Sequence, residues 1–280
     1  MSHGTLWERL VRGTRWTWLA DRYRAVLPAN LEATVMALES RDRLHAKQGR
    51  LTARVVFHST EGPLPVYLKR HYRLSRRAGL AALVHPRGRY SPGAAEWAHL
   101  ERVRSLGIAV PEVVAAGERI GPWGGLQSFL MVTELTGCRP LHEAIPALAA
   151  SWDRVEFLAW KRGLAAELAT MTATLHRARL FHKDLYLCHF FLDMERLREP
   201  GRRLTLIDLH RLGEHRGWPD RWRWKDLGQL LFSTIGVAGI DDRDRLRFWS
   251  HYRRALSLPR PRGQLKMIRL KAARYRGHNR

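Results

Sequence analysis

Two aspartates and two histidines between positions 182 and 208 carry the chemistry most readily read from this chain. The first group is His182-Lys183-Asp184-Leu185-Tyr186-Leu187-Cys188-His189-Phe190-Phe191-Leu192, and the second is Leu204-Thr205-Leu206-Ile207-Asp208-Leu209-His210-Arg211. An aspartate in a loop can orient a hydroxyl and accept its proton. A second aspartate closing an apolar strand offers hard oxygen ligands, which suit Mg2+. Upstream, Lys69 ends a β-rich run, and Glu96 lies in a helical run 27 residues later. A lysine for phosphates, a carboxylate for metal and a carboxylate for the acceptor are what phosphoryl transfer requires, because that reaction is run by positioning and charge neutralisation. Two other chemistries use part of the set. His182-x-Asp184 with a distant histidine also begins a 2-His-1-carboxylate iron site, but that site needs a strand-rich jelly roll and the second half of this chain reads as helix. A non-enzymatic basic module binding nucleic acid explains the charge, but not the order Lys69, Glu96, Asp184, His189, Asp208.

The elements that must hold these residues follow from periodicity. Residues 51–58 (LTARVVFH) and 64–70 (LPVYLKR) are β-rich, and Ser59-Thr60-Glu61-Gly62-Pro63 between them predicts a hairpin. Ser91-Pro92-Gly93 opens a helix over 94–105, with Trp97, Leu100 and Val103 on one face, and strands are expected over 113–118 and 127–135 around Gly121-Pro122-Trp123-Gly124-Gly125. After Thr136-Gly137 the pattern turns helical, over 141–149, 155–179, 221–233, 242–256 and 264–275. Strands first and helices afterwards predict an α+β protein of two lobes. We expect an N-terminal extension over 1–30, a strand-rich lobe over 31–135 and a helical lobe over 136–280 ending in a basic helix.

Protein kinases use His-Arg-Asp, a metal-binding Asn five residues after that Asp, and Asp-Phe-Gly closing the next strand. Here the corresponding residues are His182-Lys183-Asp184, His189 and Asp208-Leu209-His210. The form His-Lys-Asp-x-Tyr-x-Cys-His-Phe with Ile-Asp-Leu-His-Arg resembles the lipopolysaccharide core heptose kinases of the Kdo/WaaP family. Lys69 with Lys-Arg-His-Tyr-Arg, Ala95-Glu96-Trp97, Lys225-Asp226-Leu227 and Arg245-Leu246-Arg247-Phe248 extend the resemblance from about 51 to 256. It implies a bilobal protein-kinase-like fold and ATP-dependent phosphorylation of an inner-core heptose, with Mg2+; among kinases, one for another small-molecule or protein acceptor is the alternative. Asp184 is then the base, with Lys69 on the phosphates and Glu96 as its ion-pair partner. Asp208 would hold metal, with His189 beside it either as a ligand or as a hydrogen-bond partner. His182 and Asp226 would support the catalytic loop. Glu134 and Thr136 would fall at the hinge that meets adenine, and Phe191 would form the floor of that pocket. No Gly-x-Gly-x-x-Gly precedes residue 51, so any phosphate lid rests on Gly49 and basic side chains.

Composition limits the setting. Forty-nine Lys and Arg against 26 Asp and Glu give a net charge of +23. No acid occurs between Pro63 and Ala95, where Lys69, Arg70, Arg73, Arg76, Arg77, Arg87 and Arg89 fall, nor between His251 and Arg280. Such surfaces attract anionic partners: nucleic acid, an anionic membrane surface, or an anionic glycolipid acceptor such as the lipopolysaccharide core, among which charge alone does not choose. The absence of a signal-peptide core at Met1-Ser2-His3-Gly4, two cysteines only (Cys138 and Cys188) and no long apolar run predict a cytoplasmic protein. It is expected to lie peripherally on the cytoplasmic face of the inner membrane. In the last helix, Leu265, Ile268, Ala272 and Tyr275 share one face. That face either docks on the helical lobe or lies on anionic lipid.

Overall fold

The computed structural model describes residues 5–38, 43–47, 50–59, 62–72, 76–84, 90–121, 126–259 and 261–278. Gly49, the turn at 122–125 and the arginines Arg73, Arg87 and Arg89 lie outside the described residues. Two compact units divide the chain: residues 1–102 with 111–135, and residues 103–110 with 136–280.

The first unit contains α1 (Leu6–Arg12), β1 (Thr14–Leu19), α2 (Leu31–Ala37), β2 (Arg43–Lys47), β3 (Arg50–Ser59), β4 (Gly62–His71), α3 (Arg76–Val84), most of α4 (Pro92–Arg104), β5 (Val113–Ile120) and β6 (Leu126–Thr133). Its six strands form one antiparallel sheet in the order β1-β5-β6-β4-β3-β2. The hairpin read from the sequence is β3–β4, in register from Arg50 opposite His71 to Ser59 opposite Gly62. Alternation then decides which β4 side chain points where. Val66 and Leu68 are buried with Leu31 and Val35 of α2 and with Tyr23 and Leu27. Arg70, two residues on, stays on that face. It is buried and donates from Nη1 to the carbonyls of Val35 and Met36, 3.1 Å each, at the end of α2. A cation there satisfies carbonyls that the helix leaves unpaired. Lys69, between Leu68 and Arg70, points to the opposite face.

Arg70 serves the interior of the sheet and is not part of an anion-attracting surface, whereas Arg77 of α3 is exposed. Within the N-terminal stretch, Trp16 and Trp18 of β1 pack on Trp97 of α4 with ring centroids 5.0 and 5.6 Å apart. Residues 14–19 are therefore the edge strand of the sheet, paired with β5.

The second unit is built on α5 (Leu141–Ser151), α6 (Arg154–Arg177), α7 (Pro219–Ser233), α8 (Asp242–Ala255) and α9 (Pro261–His278). Short strands β7 (Cys138–Pro140), β8 (Leu180–Phe181), β9 (Phe190–Asp193), β10 (Leu204–Leu206) and β11 (Gly213–Glu214) pair as β10-β9-β7 and β11-β8. Asp153 begins α6 by accepting from the N–H groups of Val155 and Glu156, as an N-cap aspartate does. Lys161 of α6 is buried and donates to Asp244 (2.6 Å), Asp241 (3.3 Å) and the Gly239 carbonyl (3.2 Å), which ties α6 to the start of α8. The stripe of α9 docks on this unit: Ile268 and Ala272 are buried, Leu265 joins the core around Trp249 and Tyr252, and Tyr275 lies beside Phe232. α7 and α9 approach so closely that a Cβ on Gly228 would stand 2.6 Å from the Cβ of Lys271. Behind these helices lies an apolar cavity of about 340 Å3, bordered by Leu164, Leu168, Leu230, Phe248, Leu265 and Ile268 among others.

Candidate active site

In the first unit, Lys69 and Glu96 meet. The lysine Nζ lies 2.5 Å from Oε1 of Glu96, whose side chain is 2% exposed. The ion pair fixes the end of β4 to α4 and holds a cation in place within the unit. Glu134, expected to serve through its backbone, has its side chain in a different pair: Arg54 donates to both carboxylate oxygens at 2.7 and 2.8 Å, and Tyr67 adds a longer bond. The Arg54 hydrogen bonds hold the Glu134 carboxyl below its usual range, against a smaller opposing effect of burial. The Glu134 N–H donates to the Pro65 carbonyl at 3.0 Å.

The second unit carries the His-x-Asp loop between β8 and β9, and α7 holds it. Lys183 is left-handed, with φ of 66°, a conformation that costs energy for a non-glycine residue and persists only when neighbours enforce it. Asp226 enforces it. Its fully buried carboxylate accepts from the His182 N–H at 2.7 Å and the Lys183 N–H at 2.8 Å. One turn further, Gln229 accepts from the Leu185 N–H at 3.2 Å, and Ser233 accepts from the Leu187 N–H at 2.8 Å. Positions 226, 229 and 233 share one face of a helix, so α7 grips the loop backbone along its length.

His182 points inward, its Nε2 donating to the Ile207 carbonyl at 3.0 Å. Burial holds its pKa below the usual imidazole value, so the ring is neutral. The Asp184 carboxylate stands at the surface of the loop. A single Arg211 nitrogen, Nη1, straddles its two oxygens at 3.1 and 2.9 Å, and the Gln229 amide approaches Oδ1 at 3.4 Å.

His189 joins the two aspartates. Its Nδ1 lies 2.7 Å from the Asp184 carbonyl, which can only accept, so Nδ1 carries the proton. Nε2 therefore faces Asp208 with its lone pair in the neutral ring, at 3.7 Å from Oδ2. Burial pulls the His189 pKa down, but hydrogen bonding with Cys188 and the Asp184 carbonyl, together with the Asp208 charge, outweighs it, leaving a net upward shift. Asp208 is itself left-handed, with φ of 62°, and its Oδ1 is held by His210 Nδ1 at 2.6 Å. A carboxylate oxygen and an imidazole nitrogen thus converge. No group of three or more His, Cys, Asp and Glu side chains able to hold a metal occurs among the described residues. This pair still fits Mg2+, which keeps several waters and is commonly held by one or two carboxylates together with substrate phosphates.

A buried chain stands behind the loop. Tyr252 of α8 and Nδ1 of His176 are 2.7 Å apart, and Nε2 of His176 is 3.3 Å from Asp226. Of the other residues singled out from the sequence, Phe191 sits on β9 opposite Thr205, on the face away from buried Phe190 and Leu192, and Thr136 is exposed just before β7. Sequence reasoning missed Arg211, His210, Gln229 and Ser233. The signals were present: His210 and Arg211 directly follow Asp208, and Asp226, Gln229 and Ser233 are helically spaced.

An antiparallel sheet carrying a buried Lys–Glu pair, followed by a helical unit whose loop aspartate is braced from a helix, defines a protein-kinase-like α+β fold. The similarity is specific. Residues 41–252 match the Lipopolysaccharide kinase (Kdo/WaaP) family, and the chain belongs to that family. It is 35% identical over 164 residues to the Lipopolysaccharide core heptose(I) kinase WaaP of Pseudomonas aeruginosa, covering 58% of this chain and 59% of that protein. Against the enzyme of the same name from Escherichia coli K12 it is 32% identical over 188 residues, covering 65% of this chain and 68% of the other. A solved structure described as WaaP in complex with acyl carrier protein matches over 92% of this chain and 98% of its own, with 28% identity and a TM-score of 0.69.

Proposed function

We propose that the chain transfers the γ-phosphoryl group of ATP to a heptose hydroxyl of the lipopolysaccharide inner core. The observation that carries this reading is the Asp184 loop, fixed through three backbone N–H contacts to Asp226 and Gln229 and linked through His189 to Asp208. Asp184 orients the acceptor hydroxyl and takes its proton as the oxygen–phosphorus bond forms and the bond to the ADP oxygen breaks. Lys69, held by Glu96, pairs with the nucleotide phosphates. Asp208 and His189 would hold Mg2+, which supplies neutralisation of phosphate charge. Glu134, Thr136 and Phe191 are the residues that would bind adenine, the first two through backbone groups. Arg211 occupies Asp184 and must yield it to the acceptor; a guanidinium at that position suits an acceptor bearing phosphate or carboxylate.

No described helix is long and apolar enough to cross a membrane, and we place the enzyme on the cytoplasmic face of the inner membrane, where an acceptor anchored in lipid is reached. The solved complex of the similar protein supports a second partner. The apolar cavity in the second unit has Arg245 and Arg269 among its lining residues, which supports an acyl carrier protein as a partner with its acyl group in the cavity. Incubating the purified chain with γ-labelled ATP and lipopolysaccharide lacking core phosphate tests the activity: label on the heptose is expected. Label only on protein, or ATP turnover that ignores the lipopolysaccharide, would replace the acceptor class.

A further inference from the structure

We propose that α1 and α3 form a membrane-binding patch that takes up anionic phospholipid. The proposal deepens the peripheral placement above by naming the surface responsible. Six large apolar side chains stand in solvent on these two helices: Leu6, Trp7, Leu10 and Val11 on α1, and Leu80 and Val84 on α3, each between 43% and 73% exposed. The two helices lie against one another. Half of the large exposed hydrophobic residues of the described chain are therefore gathered at one place, whereas isolated ones are ordinary on any surface.

α1 turns its apolar side outward. At 100° per residue, positions 6, 7, 10 and 11 share one side of the helix and 8, 9 and 12 the other. A helix packed for stability turns its apolar side to the core. α1 buries no residue at all; its least exposed residue is Arg9, and Glu8 is held locally by the Thr5 cap at 2.7 Å. The apolar side therefore faces outward. α3 repeats the arrangement: Ala82 is buried with Ile120 and Leu126, while Leu80 and Val84 point away beside exposed Arg77.

Trp and Leu on the outward side of α1, with Leu80, Val84 and the exposed Arg77 on the outward side of α3, are the composition of a surface lying in a lipid interface, where the apolar side enters the headgroup boundary and cations meet anionic lipid. The last helix cannot serve in this way with its stripe, because Ile268 and Ala272 are buried on its own unit. The net charge of +23 makes the partner anionic.

The experiment is sedimentation of the full chain with phosphatidylethanolamine–phosphatidylglycerol vesicles and, separately, with phosphatidylcholine vesicles, in the absence of ATP. The chain is expected to bind the anionic vesicles, with binding weakened by salt. The variant Trp7→Glu with Leu80→Glu should lose about tenfold or more of its partitioning, since two apolar anchors become charges in the interface. Arg77→Glu should weaken binding only to the anionic vesicles. All three substituted positions are exposed, so thermal unfolding should match the natural chain. Equal binding by the double variant, or equal binding to both vesicle types, would overturn the proposal. So would a concentration-dependent dimer that the double variant abolishes while vesicle binding is absent, which would make this face a contact between two copies. Vesicle binding is read without turnover, so failure of the kinase reading leaves the result interpretable.

Discussion

Replacing Asp226 should damage both the stability of the second unit and its chemistry, by amounts that the hydrogen bonds fix. Asp226→Ala removes the acceptor of two buried N–H groups, at 2.7 and 2.8 Å, and the partner of His176. Each buried donor left without a partner costs about 1–3 kcal/mol, so the two N–H groups together cost about 2–6 kcal/mol, a large part of a typical total of about 5–15 kcal/mol. For a unit of this size the melting temperature should fall by roughly 2–4 °C per kcal/mol. Asp226→Asn retains one carbonyl oxygen but turns an NH2 toward the other N–H, so it should recover about half of the loss. Lys183, released from its left-handed conformation, would let Asp184 shift, and a displacement near 1 Å costs on the order of a hundredfold in rate. Thermal unfolding of the three proteins, followed by turnover below the lowest transition, reads both effects. An Asp226→Ala protein that melts within about 1 °C of the natural chain and retains full turnover would show that the loop is held by other contacts.

Lys69→Met should reduce turnover by about two to three orders of magnitude, the scale of losing one preorganised charge donor, with the KM for the acceptor unchanged in steady-state assays. Gly228→Ala inserts a methyl group 2.6 Å from the Lys271 Cβ; calorimetry should show a loss of about 1–3 kcal/mol from overpacking. The Glu134 carboxyl is depressed in the folded chain, so the unfolded state binds its proton first as pH falls. Its contribution is present above pH 4.5 and is lost progressively below it; Glu134→Gln should flatten that part of a stability–pH curve measured by urea unfolding.

The sequence made the β3–β4 hairpin and the long helices visible because their apolar periods are strong and their ends carry turn residues. Lys69, Glu96, Asp184, His189 and Asp208 were visible because their spacing in the chain matches an order of chemistry. What escaped was determined by pairing at a distance. β1 looked like an extension of tryptophans and arginines, since only its partner β5 reveals it as a strand. Arg70 read as surface charge because nothing local discloses the α2 carbonyls it meets. Arg211 was in plain view beside Asp208, yet its contact with Asp184 spans 27 residues of sequence. The outward-facing apolar side of α1 is likewise invisible until burial is known, since its sequence pattern is that of any amphipathic helix.

Asp184 bears the proposed reaction most directly. Transfer of label from γ-labelled ATP to lipopolysaccharide lacking core phosphate should be compared between the natural chain and Asp184→Ala, with nucleotide binding measured in parallel. The expected result is a loss of at least about two to four orders of magnitude in transfer, the range for removing a positioned general base, with nucleotide affinity nearly unchanged. Transfer close to the natural rate in Asp184→Ala would contradict the assignment of this loop and, with it, the proposed reaction.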